Sequence, residues 1–223
     1  MGFNNEGASR LIFDIETCPL DDAAEYITPA EAPANYKDHE KISAFVAEKT
    51  AEKVARAALD LDLCRIVAIG IWGEHDEQPE VVMSCTGAGE QMLLTWFWRV
   101  VKGFHLVGFN CLSFDLPVLF RRSLYLDIQA PRIAIDRFWH PEVTDLMQEL
   151  SYGQTDKVRG LDFYSRRFGL DIPQDTSGAA IGELVKADDW DAVEAHCRAD
   201  VQRTAALAAR LGYFRPLAVG ASV

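Results

Sequence analysis

The segment Arg10 to Thr17, RLIFDIET, sets two carboxylates inside an apolar, β-rich run, and this combination constrains the chain more than any other feature. Side chains alternate along a strand, so Asp14 and Glu16 share one side while Phe13 and Ile15 take the other. Such a run reads as a central strand ending at a loop near Pro19. Two like charges held side by side there are unfavourable unless cations neutralise them. By spacing alone, the pair fits a divalent-metal site and an exposed acidic edge about equally.

The remaining pattern is that of an α/β domain. Residues from Asp21 to about Asp60 turn to Ala, Glu, Lys and Pro, with room for helix between Asp38 and Leu59. This stretch, about 21–60, reads as a helical insertion between strands. Cys64 to Trp72 is the next strand, with Glu80 to Ser84 its antiparallel partner. In the helix that follows, Leu93, Trp96, Phe97, Val100 and Val101 recur at three- and four-residue intervals and form its apolar stripe. HLVGFN gives a short strand, and FDLPVLFRRSLY a helix that tolerates Pro117 in its first turn. Arg132 to Asp136 reads as a further short strand, and Thr144 to Leu150 as the opening of a helix. Gly160 to Phe168 and Ile181 to Lys186 are helical pieces. A long helix over Asp189 to Leu211 carries a stripe of Val193, Cys197, Val201 and Ala208 and stops at Gly212.

Two more polar clusters interrupt this scaffold. In GFNCLSFDLP, Asn110 falls just after a strand and Asp115 in the first helical turn, where free backbone N–H groups favour a carboxylate. A turn asparagine and a helix-start acid would look the same. In EAHCRADVQRT, His196 and Asp200 are four apart on one helix face, a spacing shared by solvated surface pairs.

Composition limits the function classes. The 223 residues fit one domain, and 49% hydrophobic content supplies an ordinary core. The formal charge of −12 repels nucleic acid unless local bases or bound cations offset it. Five scattered cysteines without a CxxC pair suggest neither a zinc knuckle nor a disulfide framework, so a reducing, cytoplasmic setting is expected. No signal peptide or membrane span is read. Arg121 with Arg122, Lys157 with Arg159, and Arg166 with Arg167 could flank a substrate channel, although ordinary solvated surface is the simpler reading.

In order and setting, FDIET, GFNxxxFDLP and HCRADVQRT resemble the three motifs of the DEDD superfamily of 3′-to-5′ exonucleases, which have the ribonuclease H-like fold. Within it the chain is most similar to the exonuclease domains of family B polymerases and their stand-alone relatives. NYKDHEKI and ALDLDLCRIVAIG also resemble segments of those stand-alone proteins. The resemblance implies a single ribonuclease H-like domain over 1–223, a mixed central sheet with helices on both faces. It also implies a catalytic set of Asp14, Glu16, Asp115, His196 and Asp200. Of these, the four carboxylates would be ligands of two Mg²⁺ or Mn²⁺ ions, Asp14 bridging them and Asp115 acting through water. Thr17, Phe109, Asn110 and Phe114 would lie by the bound strand. His196 departs from the pattern, because the subgroup with this four-residue spacing usually has tyrosine there. An imidazole titrating near about 6.5 can take a proton from water at neutral pH, whereas a phenol near about 10 mainly orients it.

The implied reaction is hydrolysis of the terminal phosphodiester of single-stranded DNA with release of nucleoside 5′-monophosphates. An RNA or short-oligonucleotide exonuclease and a catalytically weak nucleic-acid-binding module are the alternatives. The excursion over residues 21–60 would clamp nucleic acid, contact a replication or repair protein, or cover the sheet.

Overall fold

The computed structural model describes residues 8–85, 89–133, 140–152, 157–170, 172 and 178–215. Its centre is a five-stranded sheet in the order β3-β2-β1-β4-β5. The strands are β1 (Arg10–Pro19), β2 (Cys64–Gly73), β3 (Glu80–Met83), β4 (His105–Gly108) and β5 (Val143–Asp145). β1 runs antiparallel to β2 and parallel to β4; β2 with β3 is antiparallel, and β4 with β5 parallel. The mixed sheet and its flanking helices are the ribonuclease H-like arrangement.

The alternation of β1 sorts its side chains between two layers. Leu11, Phe13 and Ile15 face a core closed by α3 (Gly89–Val100) and α4 (Asp115–Tyr125), through Leu93, Phe97, Leu116 and Leu119. Ile12 faces the other way, onto Val201, Ala205 and Ala208 of α8 (Trp190–Leu211). Between α4 and α8 come α5 (Leu146–Ser151), α6 (Leu161–Phe168) and α7 (Ile181–Lys186). Asp189 caps α8 by accepting from the Ala192 N–H, and Gly212 ends it at φ 83°, in the left-handed region where glycine carries no Cβ penalty.

Between β1 and β2 the chain forms α1 (Ala23–Tyr26), α2 (His39–Arg56) and a 3₁₀ turn at Ala57–Leu59. The Asp38 side chain starts α2 by accepting from the Glu40 and Lys41 amides. No described residue of α2 is fully buried, so this helix stands on the sheet's flank rather than in the core.

Three details differ from the sequence reading. Arg132 and Ile133 are in no strand, and 134–136 lie outside the described residues. The edge strand is Val143–Asp145, so Thr144 and Asp145 belong to β5 and the helix starts only at Leu146. The core tryptophan of α3 is Trp98, whose indole N–H donates to buried Ser123 at 2.8 Å, while Trp96 is only half-buried. Both tryptophans fit an apolar stripe; a hydrogen-bond partner for the indole separates them.

Candidate active site

Four elements bring the acids together. Asp14 and Glu16 project from the central strand toward α8, where His196 and Asp200 lie one turn apart. His196 Nε2 stands 3.6 Å from Glu16 Oε1 and 3.5 Å from Asp200 Oδ2, and the histidine is 3% exposed. Arg203, a turn further along and also buried, sets Nη1 3.3 Å from Asp200 Oδ1. Asp115 begins α4, beyond the end of β4, and is 5% exposed.

The close approach of α8 to the sheet depends on a missing side chain. A Cβ on Gly70 would lie 2.6 Å from Val201 Cγ2 and 3.0 Å from Cys197 Sγ. Gly70 is the register partner of Asp14, so the helix rests on β2 beside the first acid. Just beyond, the register between β1 and β2 shifts at Glu16/Thr17, a bulge of the kind that re-aims side chains near active sites.

The acids raise one another's pKa. Burial pushes Asp14 well above the ordinary carboxylate range, and the charges of Asp115, Glu16 and Asp200 add to it. Burial does the same to Glu16, reinforced by Asp200 and Asp115. Asp115 is pushed up to about 7, chiefly by burial and further by Asp145, against hydrogen bonds from the backbone N–H groups of Asp115 and Ile15. Four mutually repelling carboxylates call for a positive counter-charge. Glu16 Oε1 is buried with no hydrogen-bond donor, which fits a cation as its missing partner.

Two groups of donor atoms lie within 4.8 Å of one another: Asp14 with Glu16 and Cys197, and Glu16 with His196 and Asp200. Both can hold a divalent ion, and together they support a two-metal active site. Glu16, rather than Asp14, is common to the two, and Asp115 belongs to neither, although its charge reaches both Asp14 and Glu16.

A cleft of about 320 Å³ opens beside Glu16, walled by Ile15, Thr17, Phe114, Ala58, Leu59 and Gly182. Arg56 and Lys186 also line it. Thr17 Oγ1 donates to the Ala58 carbonyl at 2.6 Å, tying the end of β1 to the 3₁₀ turn that forms the opposite wall. Phe109 is placed elsewhere: it packs against the α8-side core, its ring 6.2 Å from that of Tyr164. Asn110 is half-buried at φ 60°, a conformation asparagine tolerates better than most residues.

Three residues at or behind the site were not read from the sequence as functional. Asp145, 3% exposed, accepts from the backbone N–H groups of Asn110, Leu112 and Met147 at 2.9, 3.0 and 2.9 Å, and so pins the loop that leads to Asp115. Cys197 reads as a stripe residue, and Arg203 carries the one available signal, a charge three positions after Asp200. Of the basic groups, Arg122 is spent on a buried ion pair with Glu90, Arg121 is paired with Asp62, and Arg166 with Asp162.

No curated protein matches the chain. The fold is similar to that of the family B DNA polymerase from the hyperthermophilic archaeon Pyrobaculum calidifontis, with a TM-score of 0.59 at 19% identity. The similarity covers 95% of this chain and 25% of the polymerase, so the chain spans about a quarter of that protein. Among the described residues, no helix is long and apolar enough to cross a membrane. A family model described as a predicted 3′-5′ exonuclease related to the exonuclease domain of PolB matches residues 57–216, which include Asp115, His196 and Asp200, while the fold match takes in β1 with Asp14 and Glu16. By that match over most of its length, the chain belongs to the family of 3′-5′ exonucleases related to the PolB exonuclease domain.

Proposed function

We propose that the protein removes nucleotides from the 3′ end of single-stranded DNA, hydrolysing the terminal phosphodiester and releasing nucleoside 5′-monophosphates. The observation that carries this reading is the cleft of about 320 Å³ with Glu16 in its wall, a space suited to one nucleoside and too small for a base pair stacked in a duplex. Its apolar sides, Phe114 and Leu59, would hold the terminal base, and Thr17 would lie against the sugar. Arg56 and Lys186 would offset the chain's negative charge where the strand enters. Residues 21–60 act in this reading as an insertion into a single ribonuclease H-like domain, supplying one wall of the cleft.

Asp14, Glu16 and Asp200 would hold two Mg²⁺ or Mn²⁺ ions, with Asp115 acting through water. Bound divalent ions would supply the charge that makes water a stronger nucleophile at neutral pH and stabilises the leaving 3′ oxygen. His196, between Glu16 and Asp200, would fix the two carboxylates and share the proton of the attacking water.

The test follows a 5′-labelled single strand in Mg²⁺ or Mn²⁺, beside EDTA and an Asp14→Asn control, with a matched RNA strand in parallel. A stepwise ladder on DNA, absent from both controls, is expected. A ladder only on RNA would overturn the DNA assignment, and folded protein that binds DNA without cutting would overturn turnover itself. For His196→Gln, an unchanged pH–rate profile would remove the histidine as the titrating group.

A further inference from the structure

Cys197 is the feature of this centre that a site for hard cations does not need. Its Sγ lies 3.0 Å from where a Cβ on Gly70 would stand, and Gly70 is paired with Asp14 across the sheet. Sγ and carboxylate oxygens of Asp14 and Glu16 all fall within 4.8 Å of one another. A separate observation marks the same spot as awaiting a ligand. Glu16, 6% exposed, keeps Oε1 buried without a hydrogen-bond donor. Mg²⁺ and Mn²⁺ favour oxygen donors and gain little from sulfur, whereas Zn²⁺ and Co²⁺ readily accept a mixed sulfur and carboxylate set.

We propose that Asp14, Glu16 and Cys197 form a capture site for a thiophilic divalent ion, Zn²⁺ foremost, which competes with the hard ions of the exonuclease centre. The proposal rests on the reading of Asp14 and Glu16 as metal ligands. On capture, the S–H bond breaks, its proton passes to solvent, and the sulfur electron pair forms the bond to the ion; no oxidation state changes. Asp14 and Glu16 are then committed to the captured ion, so Zn²⁺ acts as an inhibitor well below the working concentration of Mg²⁺.

The test uses the full chain, stripped with EDTA, in a Cys85→Ser background, because Cys85 is the exposed cysteine while Cys18, Cys64 and Cys111 are buried. Co²⁺ is the probe, read by its sulfur-to-metal charge-transfer absorption. The expected result is a band that saturates near one equivalent and is discharged by Zn²⁺. It should be lost in Cys197→Ser and in Cys197→Ala, and weakened in Asp14→Asn. Circular dichroism of each variant confirms that it is folded. No band in the parent protein, or a band that persists in both folded Cys197 variants, would overturn the proposal. The two readings fail separately: a Mn²⁺-dependent ladder without the cobalt band refutes capture alone, and the band without a ladder supports capture while refuting the nuclease.

Discussion

Asp115→Asn removes a charge that the folded protein, without metal, holds at a cost. The carboxyl rises from an ordinary 3.8 to about 7, so the folded state keeps its proton over a range where the unfolded chain has lost it. With the acid raised on folding, its contribution is most favourable below 3.8, declines as pH rises, and levels off above about 7. At about 1.36 kcal/mol per pH unit, the two units between pH 5 and the folded value correspond to roughly 2–3 kcal/mol. Asparagine is close in shape, can still accept from the Ile15 and Asp115 backbone N–H groups, and does not titrate. The substitution should therefore improve stability relative to wild type by about 2–3 kcal/mol more at pH 8 than at pH 5, in EDTA. For a chain of this length that is a relative gain in Tm of roughly 5–10 °C, with nuclease activity lost at both pH values. Thermal melts of the two proteins at pH 5 and pH 8 read this directly. A difference in Tm that does not change with pH would refute the claim that Asp115 is held protonated by burial.

Two further substitutions test the supports of the site. Gly70→Ala places a methyl 2.6 Å from Val201 Cγ2, which should cost about 1–3 kcal/mol and move α8 away from β1. Activity should fall further than the drop in stability explains, when assayed well below the Tm; full activity would show that α8 is not positioned by this contact. Arg122→Ala leaves Glu90 as a buried carboxylate that has lost bonds of 2.8 and 2.7 Å and keeps the Ile66 N–H. A loss of about 3–5 kcal/mol in denaturant titration is expected, and one under about 1 kcal/mol would show that water reaches Glu90 once the guanidinium is gone.

What the sequence makes legible is whatever a single element's period decides. The alternation of FDIET puts Asp14 and Glu16 opposite Phe13 and Ile15, and the core contacts of Phe13 and Ile15 with α3 and α4 follow that division. The i,i+4 spacing brings His196 and Asp200 to one edge of α8. β5 escapes because three residues carry no period, and its pairing, Leu106 with Val143 and Gly108 with Asp145, comes from its neighbour β4. Asp145 escapes for a related reason. An acid before a helix reads as a cap, and it does accept from Met147; its bonds to Asn110 and Leu112, some 33–35 residues earlier, exist only in the folded sheet.

Cys197 shows most clearly where one-dimensional reading stops. It occupies the apolar stripe of α8 with Val193 and Val201, and period alone makes it a core residue, which it also is. A helix's stripe reports which residues face the sheet and says nothing of what they face. Here α8 meets β2 at a glycine and β1 at an acid, so the stripe residue lying against Gly70 comes within ligand distance of Asp14 and Glu16. The same register that buries the thiol directs it at carboxylates. Its chemistry therefore depends on a contact between elements about 130 residues or more apart in the chain, and only the packing of α8 across Gly70 brings them together.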